Sequence, residues 1–336
     1  MDALIHSFIT PLPLAALLAI IAVSLLTLSK GADILIDEAV AISAKLRIPK
    51  AIIGATIVSL GTTLPEVSVS VLAAINGNPD LALGNAVGSI IADTGLIMGL
   101  AAMISPIAID YKSIKFQSWI QLISASMIVI FSLPLFSKGS TGIITQPMGI
   151  FFVLCLIAYL YWSFKNGKSA QDSLIEEHVH GHEQEKLVKQ FLFLVIGMVT
   201  VILSSKVLIP AVELTALKIG IPQSIIAATL VAFGTSLPEL TTSIKSVLRG
   251  HGDLAVGNII GADILNVLFV TGVAAAVTPM GLAVPQNFYS LHYPAMMIIL
   301  LAFRYFTLNK KHRISRLEGG FLFGMYIIYL ALNYLR

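Results

Sequence analysis

Apolar stretches of about 20 residues, separated by short polar or charged segments, recur along the whole chain. A helix rises 1.5 Å per residue, so about 20 apolar residues cross the roughly 30 Å hydrocarbon core of a bilayer. Ten such segments are predicted. The first five lie at 13–45, 50–76, 81–104, 118–136 and 147–164, and the second five at 190–218, 222–248, 254–277, 288–308 and 318–335. The segment from Pro13 to Lys45 is longer than a perpendicular crossing needs and is expected to tilt. A polar stretch from Lys165 to Lys189 separates the two sets. The chain therefore divides into a first repeat at 1–164, a cytoplasmic linker at 165–189 and a second repeat at 190–336.

The two halves share sequence as well as span count. Gly-Thr-Thr-Leu-Pro-Glu at 61–66 returns as Gly-Thr-Ser-Leu-Pro-Glu at 234–239. Asp-Leu-Ala-x-Gly-Asn follows each, at 80–85 and 253–258, with corresponding residues always 173 apart. The motif regions are 54–99 and 227–272. Similar halves of five spans each must enter the membrane in opposite senses, which is an inverted-topology repeat. The expected fold is an all-α membrane protein of ten transmembrane helices, arranged as two inverted five-helix repeats with broken helices at the bilayer midplane. With both termini outside, the inside loops collect Lys45, Arg47, Lys50, Lys112, Lys115, Lys245, Arg249 and Arg316 among others. The outside then keeps Lys138, Lys218 and Arg336, a bias that sets this orientation.

Composition agrees with a membrane protein: 57% hydrophobic residues, 12% charged residues and a mean hydropathy of +0.90, where soluble domains carry about 25% charged residues. The net charge of +3 says little by itself, and Cys155, alone, forms no intrachain disulfide. The opening Met-Asp-Ala-Leu-Ile-His lacks the basic segment of a secretory signal, so no cleavage is expected.

The repeated motif carries the chemistry. Pro65 has no N–H for the Gly61 carbonyl and Gly61 itself weakens a helix, so the helix is expected to break just before Pro65. Irregular backbone at membrane depth is tolerated where it lines a cavity or is buried in protein. An intramembrane Glu costs roughly 3 kcal/mol; two of them in duplicated Pro-Glu motifs point to a cation site rather than to isolated structural hydrogen bonds. In the next helix Gly84, Asn85, Gly88, Ser89 and Asp93 share one face, as do Gly257, Asn258, Gly261, Ala262 and Asn266 in the second copy. The glycines allow close helix approach. The candidate oxygens are the carboxylates of Glu66, Glu239 and Asp93, the hydroxyls of Thr62, Thr63, Thr235, Ser236 and Ser89, and the amides of Asn85, Asn258 and Asn266. An all-oxygen set suits a hard cation such as Ca²⁺, not Zn²⁺ or Cu⁺. Two or three negative charges match one Ca²⁺ or two to three Na⁺.

Other acids stand apart. Asp263 has Ile90 as its counterpart and faces either the cavity or a polar crevice, while Asp33, Asp37 and Glu38 are expected to be solvated or paired. The linker's Glu176, Glu177, His178, His180, His182, Glu183 and Glu185 read as a solvated segment, or alternatively as a regulatory metal site.

These motifs resemble the alpha repeats of the cation/calcium exchanger superfamily, and the chain is most similar to its prokaryotic sodium/calcium exchangers. The resemblance extends across the chain in span count and linker position. It implies alternating access, with Thr62, Thr63, Glu66, Ser89 and Asp93 facing Thr235, Ser236, Glu239 and Asn266 around four cation sites. It further implies that the carbonyls of Ser59 and Ala232 serve outer Na⁺ sites, and that the long helices of spans one and six slide across the core as one Ca²⁺ exchanges for about three Na⁺. Two departures stand out. Ala262 occupies a position commonly filled by Ser, and Asp93 and Asn266 reverse the usual order of Asn in the first repeat and Asp in the second. Asn266 argues against K⁺ dependence.

The expected function is Na⁺/Ca²⁺ antiport in a bacterial inner membrane. A H⁺/Ca²⁺ antiporter is the alternative, since a buried Glu can carry a proton. An intramembrane enzyme would need a His-Glu-x-x-His or a Ser/His pair near the acids, and neither is present; a channel would usually repeat around a central pore. No cofactor and no nucleic-acid partner are expected. The partners are Ca²⁺, Na⁺ and the lipid bilayer, with the monomer as the functional unit.

Overall fold

The structure is a computed structural model that describes residues 8–134, 141–170, 187–220, 235–308 and 312–335. Ala232 and the His/Glu cluster at 176–185 lie outside the described residues.

The first half opens with α1 (Leu14–Leu46), which at 33 residues is about 50 Å long and exceeds a perpendicular crossing. A broken helix follows, formed by α2 (Lys50–Ile53), a π-helical turn (Gly54–Val58), α3 (Ser59–Thr62) and α4 (Leu64–Ile75). Next come α5 (Pro79–Ile91), a second π turn (Ala92–Ile97) and α6 (Met98–Ile104). Strand β1 (Ile107–Ala108), α7 (Tyr111–Phe131), β2 (Ile143–Ile144) and α8 (Gln146–Ala170) complete it. The second half repeats the order: α9 (Leu187–Lys218), α10 (Leu237–Leu248), α11 (Gly252–Leu265), a π turn (Asn266–Thr271) and α12 (Gly272–Ala276), then β3 (Leu282–Ala283). A π turn (Phe288–His292), α13 (Tyr293–Thr307), β4 (Arg313–Ile314) and α14 (Arg316–Tyr334) close the chain.

Among the described residues, six helices are long and apolar enough to cross a membrane, or seven if the pair bent at Thr63 counts as one span. The expected count of ten is not reached by this measure. Alpha helices α10 and α13 are only 12 and 15 residues long, and the seventh predicted span is described only from residue 235 onward.

Two short antiparallel ribbons fix the relative sense of α7 and α13. β1 pairs with β4, and β2 pairs with β3. β1 and β2 flank α7, a 21-residue helix about 31 Å long, so they lie at its opposite ends. β3 and β4 flank α13 in the same way. The crossed pairing therefore sets the start of α7 beside the end of α13 and the reverse. These corresponding helices run in opposite directions.

The long helices α1 and α9 pack along each other. A Cβ on Gly197 would lie 2.8 Å from the Leu35 nitrogen and 3.0 Å from the Gly31 carbonyl, so only glycine permits this approach. Ser204 donates to Thr27 Oγ1 across the same seam (2.9 Å). The pair is joined to the rest through smaller apolar clusters, one in which Leu35, Ile42 and Leu194 meet Ile52, Ile53, Val58 and Leu254 and one around Leu28 and Val201, apart from the large core formed by the other helices. Asp33 and Asp37 are paired, as one of the two expectations held: Lys245 of α10 donates to Asp33 (2.7 Å) and Arg249 to Asp37. Both pairs are partly exposed, and such pairs contribute about 0–1 kcal/mol each.

Candidate cation site

The first break falls at Thr63, between Thr62 and Leu64, where the axis turns by 47°. Pro65 sits in the first turn of α4, where its missing N–H costs no helical bond. In the second half, described here from residue 235, Pro238 likewise sits in the first turn of α10 after Ser236. One consequence is common to both. Glu66 and Glu239 each occupy the first turn of a helix, where the N-terminal dipole favours negative charge.

Two asparagines tie the halves together. Thr235 donates to Asn85 Oδ1 (3.3 Å) and Thr62 donates to Asn258 Oδ1 (3.5 Å). Each asparagine also holds its own half: Asn85 Nδ2 donates to the Glu66 carbonyl (3.1 Å) and Ser70 Oγ (3.0 Å), and Asn258 Nδ2 to Thr242 Oγ1 (3.3 Å). The amide oxygens expected as cation ligands thus accept threonine hydroxyls across the repeat. Ser70 and Thr242 were absent from the sequence-derived ligand set. Their signal was available, because they fall four residues after Glu66 and three after Glu239, on the same helix face.

Close approach makes these links possible. A Cβ on Gly261 would lie 2.5 Å from Ala55 Cα and from Ser59 Oγ, so α11 touches the first broken helix backbone to backbone. Asp93 lies in the π turn after α5, and Asn266 opens the π turn after α11. In the latter, Thr271 Oγ1 donates to the Asn266 carbonyl five residues back (3.0 Å). Such wide turns often mark functional positions in helices.

Glu66, Glu239 and Asp93 are each 1% exposed. Both carboxylate oxygens of each Glu, Asp93 Oδ1, Thr63 Oγ1 and both polar side-chain atoms of Asn266 have no hydrogen-bond partner. None of the three acids forms an ion pair with Lys or Arg among the described residues. Their electrostatic neighbours are one another, with Thr235 and Ser236 beside Glu66 and Thr62 beside Glu239. Buried carboxylates without partners are unfavourable by several kcal/mol each, and a cation satisfies both the charge and the empty lone pairs. Among the described residues no three His, Cys, Asp or Glu side chains form a compact metal set by themselves. Hydroxyl and amide oxygens must complete the coordination, as a hard cation permits.

The site is not symmetric. Ser236 Oγ donates to Ser89 Oγ (3.5 Å). The counterpart pair is Thr63 and Ala262, and Ala262 offers no hydroxyl, which is why Thr63 Oγ1 is left without a partner. The Ser59 carbonyl accepts the Thr63 N–H (2.9 Å) and the Thr62 hydroxyl (3.4 Å). Asp263 lies off the centre, buried, and accepts hydrogen bonds from Thr94 and Gln121 (2.6 Å each). Neither partner was expected from the repeat, because Thr94 and Gln121 lie outside the duplicated motif residues.

Long apolar helices around a buried, oxygen-lined centre define an integral, multi-pass membrane protein. The chain belongs to the family described as sodium/calcium exchanger protein, whose model matches residues 16–165 and 189–335. It is 32% identical over 321 residues to inner membrane protein YrbG of Escherichia coli K12, covering 94% of this chain and 96% of that one. It is 29% identical over 345 residues to sodium/calcium exchanger MaX1 of Methanosarcina acetivorans, covering 93% and 97%. The fold matches a solved structure of the sodium–calcium exchanger NCX_Mj, soaked with zero Na⁺ and Ca²⁺, with a TM-score of 0.79 and 27% identity over 96% of this chain and 100% of that one.

Proposed function

We propose that this protein is a secondary antiporter that moves Ca²⁺ against Na⁺ across a bacterial inner membrane, binding both ions at the centre formed by the two broken helices. The observation that carries this reading is the set of four unpartnered Glu66 and Glu239 oxygens, buried without any basic partner among the described residues. Family membership supports it, as do relatives and a solved neighbour named as exchangers rather than enzymes. Ligands would come from Thr62, Thr63, Glu66, Ser89 and Asp93 on one side and Thr235, Ser236, Glu239 and Asn266 on the other, with carbonyls of Ser59 and Ala232 at the outer positions. A dry site holding two or more carboxylates favours one Ca²⁺ or several Na⁺ over an empty state, which is the physical basis of exchange.

We place this centre in ten spans forming two inverted five-helix repeats, with both termini outside and one chain as the working unit. The crossed ribbons and the antiparallel α7 and α13 support the inverted arrangement. Alternating access would use α1 and α9 as a sliding pair, consistent with their separate apolar clusters. Uptake of ⁴⁵Ca²⁺ into proteoliposomes loaded with Na⁺, at equal pH on both sides, tests the coupling. The account expects uptake only with an outward Na⁺ gradient and no added stimulation by K⁺. Uptake indifferent to Na⁺ and driven by a pH gradient would replace it with H⁺/Ca²⁺ exchange, the carboxylates then carrying protons.

A further inference from the structure

Asp263 is 2% exposed, and its Oδ2 accepts two short hydrogen bonds, from Thr94 Oγ1 and Gln121 Nε2 at 2.6 Å each. Two donors thus converge on one oxygen of this carboxyl group. No Lys or Arg pairs with Asp263 among the described residues, and its charged neighbour is another acid, Asp93. Its other oxygen, Oδ1, is buried with no partner, and so is Gln121 Oε1. Because the Gln121 amide nitrogen is fixed on Asp263, the amide oxygen is held beside the same carboxylate. Two empty oxygens, one of them on an acid, therefore belong to one hydrogen-bonded pair.

The surroundings supply a route. Ser113, Gln117, Gln121 and Ser124 follow one another at intervals of three or four, so they share one face of α7, and all four are buried. A cavity of about 110 Å³ opens at the Lys112 end of this face, lined in part by Lys112, Ser113, Gln117 and Ser163. Gln117 Oε1 and Ser163 Oγ in that wall are also unpartnered. Ile52, Phe116 and Trp162 complete its wall, and the volume leaves room for water beside the polar groups. Unsatisfied polar groups thus run from this cavity to Asp263.

We infer that Asp263, with Gln121 and Thr94, forms an auxiliary site for one monovalent cation, separate from the Glu66–Glu239 centre and hydrated along the polar face of α7. One carboxylate completed by neutral oxygens balances a single positive charge, which selects a monovalent over a divalent ion. Asp263 and Gln121 hold the ion; Thr94 positions the carboxylate. The site lies outside the proposed exchange ligands and goes beyond that reading.

The test is equilibrium binding of ²²Na⁺ to the purified full-length protein in detergent, counted per chain, with ⁴⁵Ca²⁺ binding measured in parallel. Asp263→Asn is expected to bind one Na⁺ fewer per chain than the unmodified protein while still saturating with ⁴⁵Ca²⁺. Gln121→Leu, which leaves the acid in place, is expected to weaken the same ion at least tenfold. Unchanged Na⁺ stoichiometry in Asp263→Asn would overturn the site. Asn mimics a protonated Asp, so that result would make Asp263 a neutral structural group. If Asp263→Asn loses ⁴⁵Ca²⁺ binding through misfolding, an unaltered Na⁺ titration in Gln121→Leu overturns the proposal instead. Failure of the central-site reading shows separately, as ⁴⁵Ca²⁺ binding that is untouched by Glu66→Gln.

Discussion

Gly261→Ala introduces a methyl group at the tightest helix contact next to the site. The new Cβ would lie 2.5 Å from Ala55 Cα and 2.6 Å from the Ala55 carbonyl, where ordinary contact begins near 3.4 Å. Both neighbours are backbone atoms, so no side chain can rotate away, and α11 must move off the first broken helix by about 1 Å. Overpacking of this kind costs roughly 1–3 kcal/mol. The displacement also carries Asn258 away from Thr62, an interaction already at 3.5 Å. A shift of about 1 Å in a preorganised site can lower its activity by as much as about a hundredfold. Two assays read this: thermal unfolding in detergent, expected to fall by a few degrees, and Na⁺-driven ⁴⁵Ca²⁺ uptake, expected to fall by at least tenfold. Gly324→Ala serves as the control. No described atom lies within 4 Å of its Cβ, and alanine favours a helix by about 1 kcal/mol over glycine. Wild-type transport in Gly261→Ala would refute the claim that backbone contact between α11 and the first broken helix sets the geometry of the site.

Ala262→Ser supplies the missing partner of Thr63. A regained hydrogen bond is worth about 0.5–1.5 kcal/mol, so the Na⁺ concentration that half-drives ⁴⁵Ca²⁺ uptake should fall between about twofold and tenfold; no change would separate Thr63 from Na⁺ binding. Asn85→Leu removes the acceptor of Thr235 and a donor to the Glu66 carbonyl and should lower the melting temperature by several degrees while abolishing uptake, since each buried unsatisfied group costs about 1–3 kcal/mol. His251, in the loop before α11, is held below the usual imidazole pKa by burial first, and then by Lys50 and Arg249. The unfolded chain therefore takes up the proton more readily, and stability should drop as pH falls through the range just below 6.5. Thermal unfolding of His251→Gln across pH 5–8 checks this, the expected result being a flatter profile on the acid side.

Much of the site was legible because its chemistry contradicts its surroundings. Glu beside Pro, twice, in apolar segments 173 residues apart, marks a cost that plain helix packing would not accept. The helix break at Thr63 follows from Pro65 and Gly61, and the helix-facing glycines anticipate the contact between Gly261 and Ala55. The rest depends on geometry across the fold. That Asn85 and Asn258 would spend their amide oxygens on threonines of the opposite half cannot be read from spacing within one half. The π turns at Asp93 and Asn266 add a residue per turn without any sequence mark. Gln121 meets Asp263 across 142 positions, and the two-residue ribbons that set α7 antiparallel to α13 sit in loops with no strand-like alternation.

Equilibrium binding of ⁴⁵Ca²⁺ to the purified protein, titrated with Na⁺, asks whether Ca²⁺ and Na⁺ compete for ligands drawn from both repeats. The account predicts one saturable Ca²⁺ site per chain, displaced by Na⁺ with a Hill coefficient above 1, and lost in both Glu66→Gln and Glu239→Gln although each variant still folds. Full ⁴⁵Ca²⁺ binding in either variant would contradict a site shared by Glu66 and Glu239 of the two repeats.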